Sequence, residues 1–174
     1  MGKMKILCIA AVSVAAAGCG RDSDSVFQHL SVLNDTSIAV HAHAGADAIV
    51  SARGELVIDG KPVALNPAQA QIVARYFASA MALRSDAVKT GAEGASTAAT
   101  AIASVAVGLA SGNPDSIDAK VNASAAKVDA AANKVCVDLQ ELAKAQDDLA
   151  AALPQFKPYA TIAAHEVNDC ESSN

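Results

Sequence analysis

The sequence predicts an α+β fold: a small antiparallel β meander followed by a long alanine-rich helical hairpin or three-helix bundle. Three observations predict it. Residues 36–65 alternate apolar and polar positions in short runs separated by turn signals. From Asn66 onward, apolar residues recur at spacings of three and four over two long stretches. The chain has no Trp and is only 3% aromatic, so its core is expected to be Ala, Val, Leu and Ile, which suits closely packed helices.

The first nineteen residues set the context. Lys3 and Lys5 precede an apolar run from Ile6 to Ala17, and Gly18-Cys19 follows. That order reads as a signal peptide over residues 1–18. Its apolar run is about a dozen residues, against the ~20 that a helix needs to cross the hydrocarbon layer. The segment Ala15-Ala16-Ala17-Gly18-Cys19 resembles a bacterial lipobox, with Ala16 where leucine is usual. The resemblance implies cleavage after Gly18 and lipid attachment, diacylglycerol and palmitate-like chains, at Cys19. Each buried CH₂ contributes about 0.8 kcal/mol, so two or more chains hold a protein on a bilayer. Gly20 follows the cysteine where an aspartate would signal inner-membrane retention in enteric bacteria, so the expected address is the outer membrane, facing the periplasm.

Cleavage removes Lys3 and Lys5 from the 13 basic residues and leaves 11 against 18 acidic ones, a net charge of −7. A basic footprint for nucleic acid is absent. An acidic surface is also repelled by anionic headgroups, so membrane contact is expected through the acyl chains or apolar surface. The mature chain, about 155 residues, suits one domain with a modest core. Residues 19–35, with Arg21, Asp22, Ser23, Asp24 and Ser25 at their start, read as a lipid-anchored tether.

The meander is expected over residues 36–65. Ile38, Val40, Ala42 and Ala44 alternate with Ala39, His41 and His43, a strand period. A second strand follows over 46–51, a turn at Arg53-Gly54, and a third strand over 55–58. Asp59-Gly60 is a tight hairpin turn, and 61–65 a fourth strand. A meander this thin needs helices against it.

Residues 66–174 supply them. Asn66-Pro67 is a helix start, because Asn caps and Pro tolerates the first turn. Ile72, Tyr76, Ala80, Leu83, Ala87, Gly91, Ala95, Ala98, Ile102, Val105 and Leu109 form one stripe, with Gly91 to Gly94 as the place for a kink. Gly112-Asn113-Pro114 ends it. Asp115 or Ser116 caps a second helix, whose stripe from Ile117 through Val121, Ser124, Val128, Ala131, Val135, Leu139, Leu142, Ala145 and Leu149 runs near a 3.5 period. That period predicts lengthwise packing on a partner helix. Pro154 to Pro158 reads as a turn and 159–169 as a third helix. The uncharged stretch 94–114 approaches a membrane span in length, but Ser96, Thr97, Thr100, Ser104, Ser111 and many alanines favour a soluble, closely packed helix. An assembly or membrane-associating helix ranks second and a true span last.

The run Gly54-Glu55-Leu56-Val57-Ile58-Asp59-Gly60-Lys61-Pro62-Val63-Ala64-Leu65-Asn66-Pro67-Ala68-Gln69, followed by Tyr76, resembles the YggN-like family of uncharacterised Gram-negative envelope proteins. The resemblance covers 38–88 and reaches the later helices only in pattern. It implies an envelope address and a β segment followed by helices, and it lends no catalytic residues.

The chemical constellations are few. His41 and His43, two apart on an expected strand, share a face and with Asp47 offer a binding site for a metal such as zinc or copper, although two histidines fall short of the three or four ligands of a stable site. A polar, solvated sheet face is the plainer reading, and no metal site or cofactor is assigned. His29 and His165 read as isolated surface histidines. The sequence has no Ser/His/Asp order, H-E-x-x-H, Cys-x-x-Cys or Walker loop, and Asp147-Asp148 point in two directions on their helix, so no catalytic residue is assigned.

Cys136 and Cys170 are expected to form a disulfide. Cys8 leaves with the signal and Cys19 carries lipid, which leaves one pair in an oxidising compartment. A turn near Pro154 also returns Cys170 to about the height of Cys136 on antiparallel helices. The functional expectation is a non-enzymatic envelope lipoprotein with a structural or protein-binding role. Its partners would be the membrane, an unidentified envelope protein and, through the helices, further copies of itself. The alternative is a ligand- or metal-binding module using the sheet face. An apolar pocket between sheet and helices would favour a binder, and a bare elongated bundle a protein partner.

Overall fold

A computed structural model describes residues 26–111 and 115–172. The expected signal peptide over 1–18, the expected lipid site at Cys19 and the expected helix end at residues 112–114 lie outside the described residues. A 3₁₀ turn at Val26–Gln28 leads into five strands: β1 (Leu30–Asn34), β2 (Ser37–Val40), β3 (Ala48–Ser51), β4 (Leu56–Ile58) and β5 (Lys61–Pro62). They form one antiparallel sheet in sequence order. Two long helices follow, α1 (Pro67–Ser111) and α2 (Asp115–Ala152), then a 3₁₀ helix (Pro154–Tyr159) and α3 (Ala164–Ser172). The class is α+β, a meander followed by a long helical hairpin.

The sheet begins earlier than the expected boundary at residue 36. Leu30 to Asn34, read as the end of a tether, form the edge strand β1. Leu30 and Val32 are half-buried and pack against the core, while Ser31 and Leu33 face outward. The turn into β2 is held by Asn34, whose Oδ1 accepts from the Thr36 N–H at 2.9 Å, the Thr36 hydroxyl at 2.9 Å and the Ser37 hydroxyl at 2.8 Å. A register shift between Val32 and Asn34 twists this edge.

The strand expected to run to Ala44 stops at Val40. Ser31, Ala39 and Ile49 are cross-strand neighbours, so Ala39 is also buried (4%), a methyl between longer side chains. The β4–β5 hairpin turns through Asp59 (φ 52°) and Gly60 (φ 69°), both left-handed, as a two-residue turn requires. The strand is shorter than expected, Lys61–Pro62, followed by one further ladder bond from the Val63 N–H to the Leu56 carbonyl at 2.8 Å. Pro62, opposite Val57, has its nitrogen on the free edge, where a missing N–H costs no ladder bond.

Asn66 and Gln69 cap α1 reciprocally. Asn66 Oδ1 accepts from the Gln69 N–H at 2.9 Å, and Gln69 Oε1 accepts from the Asn66 N–H at 3.0 Å. The helix passes Gly91 and Gly94 without interruption. Its distal stripe differs from the sequence expectation. Ala87, Thr90, Gly94 and Thr97 are half-buried, whereas Gly91, Ala95 and Ala98 are exposed. On α2 the half-buried residues include Val121, Ser124, Val128, Ala131 and Val135, with Ala132 and Cys136 beside them. Both sets keep near a 3.5 period, so the lengthwise partner of α2 is α1, and the seam uses small residues because the helices lie close.

The core gathers at one end. Ile38, Val40, Ala48, Val50 and Leu56 of the sheet meet Val73, Tyr76, Ala80 and Leu83 of α1 and Leu139, Leu142 and Leu149 of α2. The core is less aliphatic than the composition suggested, since four of the five Phe and Tyr residues are buried in it. Phe156 is fully buried and stands edge-on to Tyr76, ring centres 5.4 Å apart. Burial raises the Tyr76 phenol well above its ordinary pKa. Beyond Asp86 on α1 and before Asp138 on α2, no described side chain is buried. From Asp86 to Ser111 the hairpin therefore projects about 37 Å past the core, at ~1.5 Å per residue. Among the described residues, no helix is long and apolar enough to cross a membrane.

The chain after α2 does not form the expected helix from Tyr159. A 3₁₀ helix runs on through Tyr159, and a pair of side-chain bonds holds the next segment extended. Gln146, 2% exposed, accepts from the Ile162 N–H at 2.9 Å and donates to the Ile162 carbonyl at 3.1 Å. With both groups of Ile162 taken, helix formation is delayed to Ala164, where Glu166 caps by accepting from the Ala163 N–H at 2.8 Å.

Candidate functional site

The loop after β2 and the edge strand β1 carry the densest cluster of chemically capable side chains. Val40 ends the strand, Gly45 turns the chain at φ 110°, and Asp47 returns beside His41. His41 Nδ1–H donates to Asp47 Oδ1 at 2.7 Å. On the other side of the ring, His41 Nε2 lies 2.7 Å from Ser31 Oγ and accepts from that hydroxyl. Asp47 thereby sets the tautomer, leaving Nε2 unprotonated toward the serine. The side chains of His41 and Asp47 remain 32% and 50% exposed, so the ring is open to solvent.

Sequence reasoning placed His41 and His43 on one strand face and left Ser31 in the tether. Both placements change here. His43 lies in the loop and meets His29 edge-on, ring centres 5.1 Å apart. His29 is half-buried rather than an isolated surface residue; its Nδ1–H donates to the His41 carbonyl at 3.3 Å, and its buried Nε2 has no partner. Among the described residues, no group of three or more His, Cys, Asp or Glu side chains is arranged to hold a metal ion. A Ser–His–Asp connection is present in space though not in a sequence motif, because antiparallel pairing brings Ser31 opposite Ala39, two residues before His41.

The backbone around Ser31 follows from the register. The His41 N–H donates to the His29 carbonyl at 2.8 Å, so residues 29 and 41 are a hydrogen-bonded pair. Two residues on, Ser31 and Ala39 are again such a pair, and Leu30 and Val32 between them turn their N–H groups to the free edge of the sheet.

A separate feature lies on the inner side of β1. Leu30, Val32, Ile38, Ala80 and Leu83 line a cavity of about 250 Å³, with Phe27 and Arg84 at its exposed side. It is slightly below the ~300 Å³ at which small-molecule sites begin. The outer sheet face has a depression around Ser37, Ile49, Ser51 and Val57, beside the Arg53–Glu55 ion pair at 3.4 Å.

Where the core ends, charges join the two long helices. Lys134 Nζ reaches Asp86 at 2.6 Å and Asp138 at 3.1 Å, and Lys89 reaches Asp86 at 2.7 Å. Hydrogen bonds from Lys134 and then Lys89 hold the Asp86 carboxyl well below the usual carboxylate range. Asp86 and then Asp138 raise the Lys134 ammonium above its ordinary value. Two residues before Asp138, in the middle of α2, Cys136 is joined to Cys170 as a disulfide with Cα atoms 5.5 Å apart, which ties α3 to α2. Tyr159 Oη donates to the Ala46 carbonyl at 2.9 Å and fastens the loop before β3. Burial, then the charges of Asp59 and Asp47, raise its pKa.

Compared with known proteins, the chain has no significant match to a family model, a curated protein or a solved structure.

Proposed function

We propose that this chain is an envelope lipoprotein, held by acyl chains on Cys19 at the periplasmic face of the outer membrane, with its helical hairpin as a structural or protein-binding element. The observation that carries this reading is the projection of α1 and α2 past the core: among the described side chains, those of 87–99 and 121–137, none is buried. Such a length adds little apolar burial to the fold, so its role lies in what it reaches or contacts. The likeness of residues 54–69 to the YggN-like family supports the envelope address.

The alternative, a metal module on the sheet face, has less support because His41 is committed to Ser31 and Asp47 while His43 faces His29. Two measurements test the main reading. Mass spectrometry of the mature N-terminus is expected to find Cys19 acylated, and a chain beginning elsewhere would reject the anchor. Photocrosslinkers at Ala92, Ala95 and Ala98 are expected to give discrete adducts in the native envelope, to another protein or to a second copy. Adducts from the head alone, for example from Leu33, would reject the hairpin as the contact surface.

A further inference from the structure

We propose that Ser31, His41 and Asp47 form a nucleophilic triad that hydrolyses small, uncharged carboxylic esters. The proposal is independent of what the hairpin contacts. Its basis is connectivity: the carboxylate meets the imidazole Nδ1 and the hydroxyl meets Nε2, each at 2.7 Å. This is the arrangement in which a neutral imidazole activates a serine and a carboxylate stabilises the imidazolium that results. The three groups come from three separate places, β1, the end of β2 and the return of the loop, and the sheet register holds two of them together.

The step balances within these groups and water. Ser31 Oγ bonds to the ester carbonyl carbon as its proton passes to His41 Nε2. Collapse of the tetrahedral adduct breaks the carbon–oxygen bond to the leaving group, which departs as an alcohol with that proton. Water then attacks the acyl-serine by the same route, releasing the carboxylic acid and restoring the serine hydroxyl. Val32 follows Ser31, and its N–H is directed to the free sheet edge, where it is available to a developing oxyanion. One amide in an open site supplies modest stabilisation, so the substrates are esters with a good leaving group. The exposure of His41 and Asp47 favours small acyl groups over long ones.

The test uses the full chain in mild detergent with a fluorophosphonate probe and p-nitrophenyl acetate. The probe is expected to label Ser31, mapped by peptide mass spectrometry, and the ester to release p-nitrophenol in a burst. Ser31→Ala is expected to abolish both. His41→Gln is expected to lower the burst rate by roughly a hundredfold and Asp47→Asn by about tenfold or more. Ser51→Ala, on the same sheet and outside the triad, is expected to keep the wild-type rate. Unlabelled Ser31 in the wild-type chain overturns the proposal whatever the variants do. So does labelling of a different serine, or a burst unchanged by His41→Gln at an unchanged melting temperature.

Discussion

Gln146 and Ile162 are joined by two hydrogen bonds between one side-chain amide and both backbone groups of a single residue. The pair is buried, so the segment between the 3₁₀ helix and α3 has its polar groups satisfied from α2 and not by its own helix. Gln146→Leu leaves the Ile162 N–H and C=O without partners in an apolar setting. A loss of about 2–4 kcal/mol is expected, with α3 loosened first. Urea unfolding measures it, and an unchanged midpoint would show that the segment finds other partners.

Gly54 and Gly60 have left-handed backbones but differ in surroundings, and that difference predicts two outcomes. A Cβ on Gly54 runs into the Ala70 carbonyl oxygen at the start of α1, whereas nothing lies within 4 Å of one on Gly60. Gly54→Ala is expected to cost roughly 2–4 kcal/mol, because backbone strain and the displacement of α1 add. Gly60→Val is expected to cost about 1–2 kcal/mol from backbone conformation alone. Thermal melts of both variants check the order, and equal losses would contradict it.

The disulfide closes a loop of 34 residues by sequence separation. On the chain-entropy account it stabilises by about 3–4 kcal/mol. Alkylation of the denatured, unreduced protein is expected to find neither Cys136 nor Cys170 free. Reduction is expected to lower the melting temperature, and modification of both thiols without reductant would reject the bridge.

Acid is expected to weaken the junction between α1 and α2. Asp86 has its pKa depressed in the folded state, so its contribution is present above the unfolded carboxylate pKa of ~3.9 and is lost as pH falls through the lower folded value. Lys134 has its pKa raised, so its contribution is present below the unfolded lysine pKa of ~10.4 and is lost only as pH rises through the higher folded value. Between these limits the pair gives no pH dependence. Circular dichroism melts below pH 4 should therefore show a steeper loss in the wild type than in Asp86→Asn, and parallel curves would remove Asp86 from the acid response.

What the sequence made legible was local. Asn66 with Pro67 and Asp59 with Gly60 carry their signals in adjacent residues, so the start of α1 and the β4–β5 turn are legible from residue type alone, whereas the reciprocal bond from Gln69 is seen only in the structure. The strand β1 was missed because Leu30 and Val32 are an apolar pair beside a polar stretch, and only pairing with β2 makes them a strand. With β1 unseen, Ser31 could not be brought to His41. The distal seam of α1 is hard to read for a related reason: among so many small residues the apolar period does not single out one face, and the packing on α2 places Thr90 and Thr97 inward with Ala87 and Gly94 while Gly91, Ala95 and Ala98 stay exposed.

The uneven placement of the core also governs how the molecule opens. Amide protons between residues 88 and 99 and between 121 and 134 are expected to exchange with solvent through local separations of the two helices that leave the sheet intact. Those near Leu142 and Leu149 should wait for global unfolding. Along a single helix, protection would then fall from one end to the other. The stretches 88–99 and 121–134 can part without loss of the head, so a contact made on them can be taken up and released at small cost to the fold.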